Sequence, residues 1–151
     1  MIRVFVQPTP IGIGTEFDLH DAGGHGASAS FIGRVRGDDG LTELFLEHHP
    51  TMTEAGLAGL AHAAVDRWKL GALTLIHRVG AMAPGETIVL VLASSRHRAE
   101  ALAACEYLID RLKTDVMLWK RETFADGRIA WVEEREGDRD RAARWDQGAG
   151  R

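Results

Sequence analysis

The sequence contains one cysteine, Cys105. That excludes an intramolecular disulfide and a cysteine-rich metal site, and it suits a reducing compartment. No run approaches the roughly 20 apolar residues that a membrane-spanning helix needs. The opening M-I-R-V-F-V-Q-P lacks a signal-peptide apolar stretch, so a cytoplasmic protein is expected. The phosphate-cradling P-loop, the dinucleotide glycine motif and the G-x-S-x-G elbow are absent. The seven histidines form no H-x-x-x-H or other ligand spacing, and no metal is expected. Net positive charge is lacking too. A formal charge of −4 argues against a general nucleic-acid binder, and no aromatic stacking platform offsets it.

The hydrophobic content of 45% and the charged content of 26%, over 151 residues, fit one globular domain with a real core. That domain is expected over 1–145, with a disordered tail at 146–151. Residues 2–7 read as a strand closed by Pro8, and 8–26 as a Gly- and Pro-containing stretch with a short helix around 16–21. The alternation in 27–36 and 41–48, separated by Asp38-Asp39-Gly40, reads as a hairpin.

Thr51 and Glu54 form a capping box for a helix over 52–69, with Gly71 as its stop. Its apolar stripe is Leu57, Leu60, Ala61, Ala64, Val65 and Trp68. A strand over 72–79, a turn over 80–85 and a very apolar central strand over 87–93 follow. Ser94 or Ser95 caps a helix over 96–113 with a stripe of Leu102, Cys105, Leu108, Ile109 and Leu112. Asp126-Gly127 joins strands 117–124 and 128–133 as a hairpin, and a short helix runs through Trp145. The fold class is α+β, with mainly antiparallel pairing and two main helices.

Positive charge clusters on this acidic chain. Arg34 and Arg36 share a strand face, either solvated or bordering a cleft. Arg96, His97 and Arg98 open a helix, where the dipole disfavours cations. They are either solvated surface charges or the side chains of an anion site. His77 reads as a satisfied buried histidine. Lys113 lies in a last helical turn, where the dipole alone accounts for it. Lys120 lies mid-strand, which suits an exposed face. A lysine crowded by cations can also act as nucleophile or proton donor near neutrality. These clusters are expected to converge on one anion pocket centred on the two lysines. Cys105 falls on a buried stripe and reads as an inert core thiol.

The same residues carry a family resemblance. The stretches are F-I-G-R-V-R at 31–36, L-E-H-H-P-T-M-T-E at 46–54, R-W-K-L-G at 67–71 and I-H-R-V-G at 76–80. P-G-E at 84–86, S-R-H-R at 95–98, L-K-T at 112–114, W-K-R-E at 119–122 and W-V-E at 131–133 continue it. Together they resemble, from about residue 2 to 145, the large catalytic subunit of molybdopterin synthase, the MoaE family. The resemblance implies an α/β hammerhead-type fold with an additional β subdomain.

It also implies sulfur transfer to cyclic pyranopterin monophosphate (precursor Z), giving the dithiolene of molybdopterin without a cofactor. The sulfur donor would be a small ubiquitin-like partner ending in a Gly-Gly thiocarboxylate, in a heterotetramer built on a large-subunit homodimer. Lys113 and Lys120 match the family's catalytic lysines. Arg34, Val35, Arg36, His97, Arg98, Arg121 and Glu122 match substrate-binding positions. Arg135 matches an arginine reaching in from the neighbouring subunit. The sequence departs from the family at Asp115 and at Val116-Met117-Leu118, where A-P-F is usual. It also departs at His49, often Tyr, and Leu102, often Phe. A non-catalytic paralogue that docks the partner without efficient chemistry is the alternative.

Overall fold

Residues 72–78 and 87–95 are apolar on both faces, so each strand must be covered twice. The computed structural model, which describes residues 1–132 and 137–146, does this with a sheet between two layers. Strands β1 (Ile2–Gln7), β4 (Ala72–Arg78), β6 (Thr87–Ser95) and β2 (Ala27–Arg34) lie in the order β1-β4-β6-β2. Only the β1–β4 pairing is parallel within this sheet. On one face Leu73, Leu75, Val91 and Ala93 pack beneath helices α2 (Met52–Trp68) and α3 (Arg98–Asp115). On the other, Ile76, Leu90 and Leu92 pack against Ile11, next to the short helix α1 (Ile13–Leu19). Each fully buried Leu or Ile contributes about 1.5–3 kcal/mol.

A second, antiparallel sheet forms the additional β subdomain. Its order is β5 (Gly80–Met82), β3 (Leu41–His48), β7 (Leu118–Phe124), β8 (Ile129–Val132). Leu44, Leu46 and Met82 on its inner face join Val35, Leu41 and Val79 in a second apolar cluster. Helix α4 (Asp138–Ala143) and a 3₁₀ turn (Arg144–Asp146) pack on α3. Asp146 ends that turn; residues 147–151 of the expected tail lie outside the described residues.

Several expectations change. The 27–36 and 41–48 segments do not form a hairpin. β2 pairs with β6 in one sheet and β3 pairs with β5 and β7 in the other. Pairing with β2 covers the second edge of the apolar β6, which a local hairpin would leave open. Asp38–Gly40 forms a 3₁₀ turn that carries the chain between sheets, with Asp39 and Gly40 at φ 57° and 80°. The expected turn at 80–85 contains the short strand β5.

Helix caps also differ. Thr51 makes no side-chain cap; His49 Nδ1 accepts from the backbone N–H of Thr51 and Met52 at 3.2 and 3.0 Å. The helix stops at Lys69 in the left-handed region, two residues before Gly71. Ser94 and Ser95 are buried in β6, and α3 begins after His97. Its buried stripe runs through Ala101, Ala104, Cys105, Leu108 and Leu112, leaving Leu102 58% exposed.

Candidate functional site

The antiparallel pairing of β2 with β6 sets the geometry of the charged residues. Ala27 lies opposite Ser95 and Arg34 opposite Thr87. The eight steps from Thr87 to Ser95 in β6, at about 3.4 Å each, separate these two ends by roughly 27 Å. His97 and Arg98 follow Ser95 at one end. Helix α3 then returns along the sheet for 18 residues, about 27 Å, and brings Lys113 back to the Thr87 end. His77 is opposite Val89, so the close of β4 is at that end too. Within one chain, then, Arg34, Val35, Arg36, Lys113 and Lys120 belong to one end of the sheet, while His97 and Arg98 belong to the other. The single-chain convergence expected for all these clusters is not what the topology gives.

At the lysine end, Lys120 lies in β7 opposite Leu46 and Val132 and is exposed. Its charge acts on His77, which is 4% exposed. Burial, helped by Lys120, pushes the His77 pKa down to about 4 despite its hydrogen bond to the Arg78 carbonyl. The imidazole is therefore neutral near pH 7, donating from Nδ1 to that carbonyl. It is the buried, satisfied histidine that the sequence suggested.

The next residue, Arg78, is also buried and pairs with Glu86 at 2.5 Å. The other Glu86 oxygen accepts from the Ala83 N–H, again at 2.5 Å. The Ala83 bond and then Arg78 hold the Glu86 carboxyl below its ordinary range. This clamped turn grips Val35: its N–H donates to the Glu86 carbonyl and its own carbonyl accepts from Gly85. Arg34 and Arg36 thus flank a fixed, buried Val35 and project as exposed cations. Arg36 makes a long 3.6 Å contact with the exposed Asp38, worth little in water. A bulge at Gly33/Arg34 interrupts the register there.

Strand alternation splits the W-K-R-E motif. Glu122 shares the Lys120 face, opposite Leu44. Arg121 and Trp119 point to the outer face. There the Arg121 guanidinium stands over Phe45 and Trp131, 4.7 and 5.9 Å from the ring centroids, with Glu43 at 3.8 Å. Arg121 is therefore separated from Lys120 by the thickness of the sheet. Arg135 lies outside the described residues.

The connector between the two lysines is held from both sides. Val116 is buried. Thr53, fully buried in the first turn of α2, donates its hydroxyl to the Met117 carbonyl at 2.6 Å and accepts from the His49 N–H at 2.8 Å. On the other side Arg111 bonds Asp115 at 2.7 Å, so the unusual Asp115 carboxylate is paired rather than left facing a lysine. Sequence reading missed Thr53, Arg111 and Glu86. Their partners lie in other elements or depend on turn geometry, and no local motif marks them.

Among the described residues, no group of three or more His, Cys, Asp or Glu is placed to hold a metal. A cavity of about 170 Å³ lies on the opposite face of the sheet, lined by Phe17, His20, Ser28, Ser30 and Leu92. None of the residues named above from the charged clusters lines it. His20 bonds Thr74 and Ser94 at 2.9 and 2.8 Å, tying the 8–26 segment to the sheet.

Residues 6–115 match the family described as MoaE protein. The chain belongs to the MoaE family. It is 42% identical over 147 residues to the molybdopterin synthase catalytic subunit of Escherichia coli (strain K12), covering 95% of this chain and 97% of that protein. It is 46% identical over 124 residues to the molybdopterin synthase catalytic subunit of Brucella melitensis, covering 81% and 76%. The MoaE fold extends along the chain. The solved MoaE protein of Burkholderia ambifaria superposes with a TM-score of 0.82 at 37% identity, over 98% of this chain and 100% of that one. Such agreement supports the α+β hammerhead-type fold with its extra β subdomain.

Proposed function

We propose that this MoaE-family chain is the catalytic subunit of a molybdopterin synthase, working in the cytoplasm. It moves sulfur from the C-terminal thiocarboxylate of a small ubiquitin-like carrier to precursor Z, and two rounds build the dithiolene of molybdopterin. The observation that carries this reading is the pair Lys113 and Lys120, bracketing one short, pinned connector at the end of the sheet where Arg34 and Arg36 are exposed. A carrier tail and a cyclic phosphate are both anions, and exposed cations on a net-acidic chain attract them locally.

In this reading Lys113 stands beside the incoming tail and steadies the acyl transfer. Lys120 binds substrate or donates the proton as the pterin oxygen leaves. Val35, held by the 83–86 turn, sets the placement of Arg34 and Arg36 toward the phosphate. Glu122 borders the same face as Lys120. His97 and Arg98 are about a sheet length away in the same chain, so a second copy supplies them, as the resemblance implies for Arg135. The active unit is then a homodimer carrying one carrier at each site. No cofactor takes part. Arg121, on the outer face, supports the strand rather than touching substrate.

The test is a reconstituted assay with thiocarboxylated carrier and precursor Z. Wild type forms molybdopterin; Lys113→Ala forms none while remaining a folded dimer by light scattering. Near-normal product from that variant would overturn the lysine assignment. Docking of the carrier by the wild type without product would favour a non-catalytic paralogue.

A further inference from the structure

The residues that most depart from the family pattern lie between the two lysines, yet they are tied from two sides. Arg111, one helical turn before Asp115, donates from Nε to the Asp115 carboxylate and from Nη1 to Asp146, each at 2.7 Å. A longer 3.5 Å contact reaches the Ala142 carbonyl. Thr114 adds a 3.0 Å bond to the same Asp115 carboxylate. Burial disfavours the Arg111 charge, but its bonds to Asp146 and Asp115 more than offset this and raise its pKa.

Asp146 belongs to the C-terminal 3₁₀ turn, which is itself anchored. The Trp145 indole donates to the buried Asp110 at 2.9 Å, and Arg141 and Arg144 reach the same carboxylate at 3.2 and 3.1 Å. A chain of paired charges therefore runs from the C-terminal turn to the last residue of α3. That residue is two positions after Lys113 and immediately precedes the two-residue connector, Val116-Met117, to β7.

We propose that Arg111 is a positioning residue for the two lysines: by clamping Asp115 to the C-terminal turn it does for this connector what a fixed-φ proline would do. The inference rests on the sulfur-transfer reading of Lys113 and Lys120. Thr53 grips the connector at Met117 from the α2 side, and the Arg111 clamp grips it at Asp115 from the α4 side. With both ends of the connector held, the separation of the lysines is set before any ligand arrives.

The experiment compares Arg111→Gln, Arg111→Lys, Asp115→Asn and the Arg111→Gln/Asp115→Asn double variant in full-length protein. Turnover with thiocarboxylated carrier is measured beside amide exchange over 113–118. Displacement of a catalytic group by about an ångström can cost up to about 100-fold, so Arg111→Gln is expected to lower kcat about tenfold or more. KM for the carrier should stay within about twofold. Arg111→Lys, which keeps one charged contact, should recover part of kcat. The double variant should be no worse than Arg111→Gln alone, because both remove one interaction.

Exchange should rise over 113–118 while residues 52–68 stay protected. A kcat within about twofold of wild type in Arg111→Gln overturns the proposal, as does a fall in kcat that Arg111→Lys does not relieve. A wild type that makes no product refutes the sulfur-transfer reading instead. The exchange arm then still decides the clamp: unchanged protection over 113–118 in Arg111→Gln refutes it.

Discussion

Thr53→Val is the sharpest test of how the site end is built, because it changes hydrogen bonding at nearly constant shape. The side chain is fully buried, accepts from the His49 N–H and donates to the Met117 carbonyl. Valine fills the same space but satisfies neither group. Each buried backbone group left unpaired costs about 1–3 kcal/mol, which gives a loss of about 2–4 kcal/mol once partial relaxation is allowed. For a chain of this size that lowers Tm by about 5–15 °C. Thr53→Ser retains the hydroxyl and loses one methyl, a cost of about 1 kcal/mol. Urea unfolding of the three proteins, with m unchanged, reads the difference directly. Thr53→Val should also slow sulfur transfer more than Thr53→Ser, since the Met117 carbonyl is freed inside the lysine connector. Equal stability of the Val and Ser variants would refute the argument that this hydroxyl joins α2 to the connector.

Other perturbations bear on separate parts of the molecule. His77 is neutral in the folded chain, with a pKa of about 4 against an ordinary 6.5, so the unfolded chain binds the extra proton first on acidification. Its contribution is fully present above about pH 6.5 and is lost as pH falls toward 4, by about 3 kcal/mol; a His77→Gln variant should lack that slope in a pH series of unfolding free energies. Asp110→Ala leaves the buried Trp145 indole N–H without its acceptor and leaves Arg141 and Arg144 with Glu106 alone. It should destabilise by about 1–3 kcal/mol, from the unpaired indole, and raise protease cleavage after residue 137 well before global unfolding. Burial pushes the Cys105 thiol up to about 12, so iodoacetamide at pH 8 should label it only on unfolding, as read by intact mass.

Sequence patterning captured the elements well where periodicity and turn chemistry agree. Leu57, Leu60, Ala61, Ala64 and Trp68 are buried along α2, and Asp126-Gly127 joins β7 to β8. It failed where a longer-range partner outcompeted a local one. The Asp38-Asp39-Gly40 turn looked like a hairpin, but the apolar β6 takes β2 as its edge partner. The Thr51 capping box gave way to His49, whose ring accepts from the Thr51 and Met52 N–H groups. Leu102 is the exposed member of the expected stripe, whose Cys105, Leu108 and Leu112 are buried: the buried face continues instead through Ala101 and Ala104.

For the site, the last helical turn located Lys113; Lys120 is exposed although it shares the inner face with Leu44 and Leu46, and Arg121 stands on the other face. Adjacent residues on a strand point to opposite faces, so within one chain W-K-R-E presents its lysine and its arginine on different sides of the sheet.

The same reasoning bears on assembly. Antiparallel β2 and β6, followed by a helix that doubles back, necessarily leave the residues before α3 at the far end from those after it. His97 caps the start of the 18-residue helix α3 and Lys113 lies in its last turn, so no rearrangement short of breaking α3 can bring them together within a chain. If both serve one anion, a second copy must present its α3 N-terminus to the first copy's α3 C-terminus. A two-fold axis does this twice, producing two equivalent sites from one interface. A dilution series then separates the contributions: activity lost in parallel with dimer dissociation shows that the site needs residues of the second copy, as expected of His97 and Arg98. Activity retained by the monomer would mean that the lysine end suffices alone.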